Sequence, residues 1–350
     1  MTLRGRKHRR LQGVGLHGLA FAVLLLSSAG DARAAAMGSF SALSYNVAGL
    51  PLGLSSSTPN VNNFLMSPRL NAFDLVAVQE DFGFHQNLVF QATHPFQSVK
   101  DTTDTALAVD LAMMIGLPPP GLGDGLNRLS RIPFENHMRI TWNDCFGELT
   151  NGSDCLAPKG FAVARHELAP GAFMDVYNWH ADASDAPEDL AARRSEVRQL
   201  YTFIQSFSAG QAVLVLGDTN SRYTRAGDIL PEMLAATGLS DVWVDLAAGG
   251  VTPGVGPKLD ACVVNGPAGG DCERIDKIFY RSGGGVTLVP TAYEVPSDDF
   301  KDFSGLPLSD HEPVVARFQW AVPEPSPSAL VALGIVLLAL AVAAAPRRSP

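Results

Sequence analysis

The sequence predicts an α+β fold in which sheets pack together and helices lie outside. Three observations carry this. Short apolar runs of strand length recur along residues 38–320, rich in β-branched and aromatic side chains. One longer stretch, 186–207, repeats its apolar residues at helical spacing. No internal repeat and no long linker divides this body, so it reads as one domain in which strands outnumber helices.

The strand-like runs are Phe40–Val47, Phe73–Gln79, Gly160–His166, Ala172–Trp179, Ala212–Leu216, Arg274–Tyr280 and Pro313–Trp320. Each is short, and each ends in polar residues. In 186–207, Leu190, Val197, Leu200, Tyr201, Ile204 and Phe207 share a helical face. Asp185 or Ser184 can cap this helix, and Pro187 suits its first turn. A second helix is expected over Gly227–Thr237.

Both ends differ from the body. Five positive charges within Met1–Arg10 precede an apolar stretch from Leu16 to Ser27. Ala32-Arg33-Ala34 and Ala34-Ala35-Ala36 then offer A-x-A cleavage sites. This is the pattern of a secretory signal peptide over 1–36. At the other end, Val322-Pro323-Glu324-Pro325 is followed by Ala329–Ala345 without a charge, then by Arg347 and Arg348. An apolar run of about 17 residues is at the lower limit for a transmembrane helix. The order Pro-Glu-Pro, apolar helix and arginine cluster over 322–350 resembles the PEP-CTERM sorting signal of exported bacterial proteins. That resemblance implies an exosortase-type sorting enzyme as a partner. As a sorting tail or as a plain membrane anchor, the segment implies export to the periplasm, the cell surface or the medium.

The chain has 26 Lys+Arg and 35 Asp+Glu, a net charge of −9. The two ends hold eight of the basic and two of the acidic residues, so the body carries 18 against 33, or −15. An acidic body repels polyanions, and duplex binding needs phosphate-neutralising Lys and Arg. Nucleic acid is therefore disfavoured as a partner, with Arg128, Arg131, Arg139 and Arg165 left as residues for a local basic groove. Four cysteines allow three disulfide connectivities, and export favours their oxidation. The local pairs Cys145–Cys155 and Cys262–Cys272 are the expected ones, each closing a loop rich in Gly, Asn or Asp.

The chemistry-bearing residues fall directly after the apolar runs, where loops present side chains. They are Asn46, Glu80, Asn178 with His180, Asp218 with Asn220, Asp276, and Asp310 with His311. Singly each reads as an ordinary loop residue. Six such places at six strand ends read as one site. Hard carboxylate and amide oxygens suit Mg²⁺, which takes few protein carboxylates and keeps several waters. Two histidines beside that ion suit a base and an acid. No G-x-S-x-G elbow or free nucleophilic cysteine points to acyl chemistry.

The order Asn, Gln-Glu, Asn-x-His, Gly-Asp-x-Asn, Ile-Asp, Ser-Asp-His resembles the endonuclease/exonuclease/phosphatase superfamily, also called deoxyribonuclease I-like, along nearly all of 38–320. The resemblance implies a four-layered α/β sandwich of two mainly antiparallel sheets with the site at one edge. It also implies Mg²⁺-dependent cleavage of phosphoester bonds, with one or two ions and Mn²⁺ or another divalent cation as substitutes. By matched position, Glu80 holds the metal with Asn46 and Asp310 beside it. His311 is the general base, oriented by Asp276. His180 contacts phosphate or protonates the leaving group, Asp218 and Asn220 orient water and phosphate with metal contact as a further role, and Asn178 binds substrate.

The segment Asp154-Cys-Leu-Ala-Pro-Lys-Gly-Phe161 resembles the Cys…Lys-Gly segment of neutral sphingomyelinases and their secreted bacterial relatives. It implies a fixed positive charge from Lys159 near phosphate, and a phospholipid headgroup as substrate. Those bacterial enzymes show Asn-Thr-His-Leu-x-Ala where this chain has Asn178-Trp-His-Ala-Asp-Ala183, so Trp179 and Asp182 leave the exact substrate open. Leu111–Leu122 reads as a buried helix ended by prolines, with a membrane or lipid contact as the other reading. A secreted endonuclease of the same fold and a catalytically idle surface binding protein are the competing expectations.

Overall fold

The computed structural model describes residues 35–51, 55, 57–100, 122–147, 151–256, 260–262 and 272–323. The expected signal peptide up to residue 34, the expected sorting tail from residue 324 and nearly all of the 111–122 stretch lie outside the described residues; Ala36 and Val322, at the inner bounds of the two expected end segments, are strand residues. Among the described residues no helix is long and apolar enough to cross a membrane.

β1 (Ala36–Asn46) is followed by α1 (Pro59–Met66), a 3-10 turn over Ser67–Ala72, β2 (Leu75–Gln79) and α2 (His85–Val89). Then come β3 (Phe96–Gln97), β4 (Asn127–Ser130) and β5 (Phe134–Thr141). β6 (Gly160–Ala169) and β7 (Ala172–His180) lead into the long α3 (Pro187–Phe207), then β8 (Ala212–Asp218) and α4 (Leu230–Thr237). β9 (Ser240–Asp241), α5 (Val242–Leu246), β10 (Asp260–Ala261) and β11 (Cys272–Glu273) are short. β12 (Asp276–Arg281), β13 (Thr287–Glu294) and β14 (Val314–Val322) complete the order.

One six-stranded sheet runs β13-β14-β1-β2-β4-β3 and the other β5-β6-β7-β8-β12-β9. Both follow the same rule. A parallel pair sits at the centre, β1 with β2 and β7 with β8, and every other pairing is antiparallel. Strands of a parallel pair end at the same edge, so each sheet delivers two strand C-termini together.

Alternation along the strands makes the layers. Phe40, Ala42, Leu75 and Ala77 of the first sheet meet Met174, Val176, Leu214, Leu216 and Ile278 of the second. The outer face of the second sheet, including Tyr177, Trp179, Val213 and Val215, packs on Val197, Leu200 and Ile204 of α3 and on Met233 and Trp243. The outer face of the first, including Leu43, Tyr45, Val76 and Val78, packs on Met66, Leu70 and Leu88. Each fully buried aliphatic or aromatic side chain here contributes about 1.5–3 kcal/mol. The architecture is therefore helices, sheet, sheet, helices, the four layers expected.

Several local expectations need correction. Neither Ser184 nor Asp185 caps α3: Ala186 is the cap residue, and its N–H donates to Asp189 Oδ2 at 2.7 Å. Ser184 is turned into left-handed backbone (φ 62°), and the Asp185 carboxylate is drawn to Arg225. α4 starts at Leu230 because Gly227 has φ 98° and cannot begin it. Besides the two-residue strands β3, β9, β10 and β11, three longer strands escape the apolar-run criterion. β4 is fully buried yet reads Asn-Arg-Leu-Ser. β5 breaks its alternation at a bulge between Glu135 and Met138, and β13 does so between Pro290 and Ala292. The disulfides are Cys145–Cys155 and Cys262–Cys272, the local pairing expected.

Candidate active site

At one edge the layer between the sheets turns polar. On β1, Phe40 and Ala42 give way to Ser44 and Asn46; on β2, Leu75 and Ala77 give way to Gln79. On β7, Met174 and Val176 give way to Asn178 and His180; on β8, Leu214 and Leu216 give way to Asp218. β12 begins there with Asp276 before Ile278. A side-chain period of two keeps each series on the inner face. The register then brings the ends together, pairing Asn46 with Gln79, His180 with Asp218, and Asp218 with Asp276. The close approach of β7 and β8 requires Gly217, where a Cβ would lie 2.0 Å from the Trp179 carbonyl oxygen.

Glu80 follows β2 in left-handed backbone (φ 56°), a conformation that costs a glutamate about 1 kcal/mol or more. The loops flanking the neighbouring strands hold it there: Gly49 N–H donates to the Glu80 carbonyl at 2.9 Å, and Asp81 N–H to the Gly125 carbonyl at 3.0 Å. The Asn46 amide donates to Glu80 Oε1 at 2.9 Å and to Asp218 Oδ2 at 3.1 Å. Its own oxygen accepts from Ala48 N–H at 3.0 Å, and the amide nitrogen gathers the two carboxylates. Glu80, His180 and Asp218 offer ligand atoms within 4.8 Å of one another, and so do Asp218, Asp276 and His311. Burial pushes the Glu80 and Asp218 carboxyls up from their ordinary range. Two crowded carboxylates sharing one amide fit a divalent cation, which would relieve that cost.

His311 Nδ1 lies 2.8 Å from Asp276 Oδ2, and Nε2 lies 3.6 Å from Asp218 Oδ2. Burial alone would push the imidazole down. The Asp276 and Asp218 carboxylates override it and hold His311 well above the usual histidine range. His180 is the opposite case. Burial pushes it well below that range, and the charges of Lys159 and His311 act in the same direction.

Lys159 is buried, at 9% exposure, rather than standing free in a surface turn. Its ammonium pairs with Asp154 and lies 3.0 Å from His180 Nε2. Burial opposes that charge, but the Asp154 and Glu80 carboxylates more than offset it and raise the lysine. A charged Lys159 beside a neutral His180 makes Nε2 the acceptor and places the ring proton on Nδ1. Two contacts hold the pair: Trp142 Nε1 donates to the His180 carbonyl at 2.7 Å, and Asp154 Oδ2 accepts from Ala183 N–H at 3.0 Å. Gly160 lets β6 approach β5, since a Cβ there would lie 2.0 Å from the Ile140 carbonyl oxygen.

The remaining expected residues are placed as follows. Asn220 donates its amide to the Ala181 carbonyl at 3.0 Å, and its N–H donates to Asp218 Oδ1 at 3.0 Å. Asp310 is exposed and belongs to neither ligand cluster among the described residues. Asn178 is one step further in: its oxygen accepts from Gln79 Nε2 at 2.7 Å, and its amide donates to the Val78 and Asn127 carbonyls. It bolts the sheets together behind the site. Asp154 and Trp142 carry no distinct signal in the sequence, although Asp154 stands in the same short segment as Lys159; Gln79 stands in the Gln-Glu motif, but its role across the sheets is not legible there.

The arginines form no open groove. Arg128 is buried between the sheets, donating to the Val176 and Ala162 carbonyls at 3.1 Å each. Arg139 pairs with Asp124, and Arg165 makes a two-point pair with Asp175. Arg131 donates to the Asn71 carbonyl at 3.0 Å.

No protein-family model matches the chain. It is 38% identical over 287 residues to proteins named sphingomyelinase from Mycobacterium tuberculosis and Mycobacterium bovis, covering 81% of this chain and 53% of theirs. The chain thus spans about half the length of the curated relatives it matches. Among solved structures, it superposes on Staphylococcus aureus beta toxin with bound magnesium ions (TM-score 0.55, 16% identity, 80% of this chain and 99% of that one). It also superposes on Danio rerio TDP2 complexed with a single-strand DNA product (TM-score 0.53, 18% identity, 80% and 99%). The chain has the deoxyribonuclease I-like fold of these neighbours.

Proposed function

We propose that the protein is an exported, Mg²⁺-dependent phosphodiesterase that hydrolyses the headgroup ester of a phospholipid of the sphingomyelin type. The observation that carries this reading is the shared carboxylate of Asp218. It joins the Glu80–His180 cluster to the His311–Asp276 pair, with the Lys159 ammonium alongside.

In this reading Glu80 and Asp218 hold the cation. A Mg²⁺ ion held there would supply positive charge to the phosphate oxygens and would offset the Asp218 carboxylate that, with Asp276, raises His311 against burial. His311 Nε2 then takes a proton from the attacking water while Asp276 keeps Nδ1 protonated. The water oxygen bonds to phosphorus as the bond to the leaving oxygen breaks. The Lys159 ammonium stabilises the developing charge and is the group of the Lys159–His180 pair that has a proton to give the leaving oxygen, while the neutral His180 ring holds it in place through Nε2.

Three features favour a lipid over a nucleic acid. The relatives are named sphingomyelinase, the body carries −15, and Arg128, Arg139 and Arg165 of the candidate groove are committed to partners within the protein. The turn over 301–307, closed by the Lys301–Pro307 bridge, adds a fourth. It exposes Phe303 (94%) and Leu306 (62%) a few residues before Ser309 and His311 in the chain, and in this reading the two apolar side chains meet the lipid surface. The signal peptide of 1–36 and the sorting tail of 322–350 belong to the same reading, as the means of export.

The test is phosphocholine release from sphingomyelin and phosphatidylcholine vesicles by the full chain with Mg²⁺, with plasmid nicking measured alongside. Release without nicking supports the lipid reading. Nicking without release replaces it with a nuclease, a substrate class this fold accommodates in TDP2. Neither activity leaves the binding-protein reading.

A further inference from the structure

We propose that the buried ion pair Arg274–Glu312 is a positioning pair that holds His311 over Asp276. His311 lies in the turn entering β14 of the first sheet, whereas Asp276 opens β12 of the second. Their hydrogen bond therefore crosses the sheet interface. Arg274 and Glu312 make a second crossing, two residues before Asp276 and one after His311. Arg274 Nε lies 2.8 Å and Nη2 2.6 Å from Glu312 Oε2, while Glu312 Oε1 accepts from Ser297 Oγ at 2.7 Å.

Packing alone does not hold the His311 ring. A cavity of about 150 Å³ lies beside it, lined by residues including Cys262, Arg274, Asp276 and Glu312. One hydrogen bond across the sheet interface fixes a distance but not the tilt of the turn relative to β12. The second crossing removes the tilt. Each strut is itself anchored. On the β12 side, the Cys262–Cys272 disulfide and Glu273 hold the chain, the latter accepting from Tyr223 N–H at 2.6 Å and pairing with Lys277 at 3.1 Å. On the other side, Ser309 Oγ donates to the Asn46 carbonyl at 2.7 Å and accepts from His311 N–H at 3.1 Å. Neither Arg274 nor Glu312 needs to touch substrate for this role.

The inference rests on the proposed role of His311 for its kinetic arm only. In the full chain, Glu312→Gln keeps the shape and removes the charge. It is expected to lower kcat about tenfold or more with KM within about twofold. In an Asp276→Asn background the same change is expected to cost under about threefold, because both act through one imidazole. Arg274→Lys is expected to retain part of the rate. The second arm is independent of activity: the Nδ1 proton resonance of His311 should move or broaden in Glu312→Gln. Arg274→Met/Glu312→Leu controls for folding, since an apolar replacement of a buried pair preserves packing; it should melt like the parent and still show the altered resonance. Unchanged His311 resonances in the variants, or fully additive kinetic losses, would overturn the proposal. If the parent hydrolyses nothing, the functional reading fails and the resonance arm decides the positioning alone.

Discussion

His180 and Asp218 are register partners at the last positions of two parallel strands, and Nε2 of one lies 3.5 Å from Oδ2 of the other. No loop has to search for this contact, because the β7–β8 ladder makes it. The histidine is neutral and the lysine beside it charged, so the cation at this corner is Lys159. Replacing Lys159 with Met should lower kcat/KM by about 10²-fold or more, the scale of losing one preorganised donor. It should also destabilise the fold by about 3–5 kcal/mol, since Asp154 is left buried and unpaired. Steady-state kinetics and denaturant melts check the two effects separately. A fully active Lys159→Met would remove the lysine from the chemistry.

Metal dependence should be visible without turnover. Mg²⁺ binding to the native state alone should raise the melting temperature with concentration, by the equivalent of about 2.7 kcal/mol at a hundredfold excess over Kd. Glu80→Gln should shift the half-saturating Mg²⁺ concentration upward by about tenfold or more while leaving the apo melting temperature near the parent's. An Mg²⁺ shift that survives Glu80→Gln unchanged would place the ion elsewhere.

The lipid approach makes a prediction about substrate form. Phe303→Ala/Leu306→Ala should slow hydrolysis of vesicle sphingomyelin by about tenfold or more, because the two side chains no longer bury apolar area in the lipid surface. A water-soluble short-chain substrate should be hydrolysed at the parent rate. Equal reductions on both substrates would mean that the turn shapes the site rather than meeting a lipid surface.

Acid stability should fall through a defined window. His137 is pushed down to about 3 by burial and then by the Arg128 and Arg139 charges, and His166 is pushed well below its ordinary value by burial and Arg128. A depressed folded-state value leaves stability full above the ordinary histidine range, near 6.5. Stability is then lost as the unfolded chain takes up protons on the way down toward 3. The contribution of these two histidines should be flat from pH 8 to 7 and fall below 6.5, whereas His311, raised against burial by Asp276 and Asp218, adds stability as the pH falls toward 6.5, so the melting temperature should pass through a maximum near that value. In His137→Gln the fall should be shallower, and an identical slope would assign the acid sensitivity to other groups.

What the sequence made legible follows from what was periodic. The central strands were readable because both of their faces are buried, so that Leu75–Gln79 and Ala212–Asp218 read as continuous apolar runs. β4 was not, because its buried polar residues are satisfied by partners that composition cannot foresee, as when Arg128 donates to carbonyls of the opposite sheet. The strand-end residues were equally visible, and the structure gathers Asn46, Glu80, His180, Asp218, Asp276 and His311. Their orientation was not visible. Whether Asn46 offers nitrogen or oxygen depends on the Ala48 N–H, and whether Asn178 faces substrate depends on Gln79 across the sheet interface. The Arg274–Glu312 pair was hidden for the same reason, since a 38-residue separation carries no periodic signal.

The most direct test of this mechanism is hydrolysis of sphingomyelin by the full chain with Mg²⁺, comparing the parent with His311→Ala. The parent should release phosphocholine, and the variant should fall by about 10²-fold or more in kcat, the contribution of a positioned base. A His311→Ala protein that kept most of the parent's rate would contradict the assignment of His311 as the base, and with it the mechanism built on the shared Asp218 carboxylate.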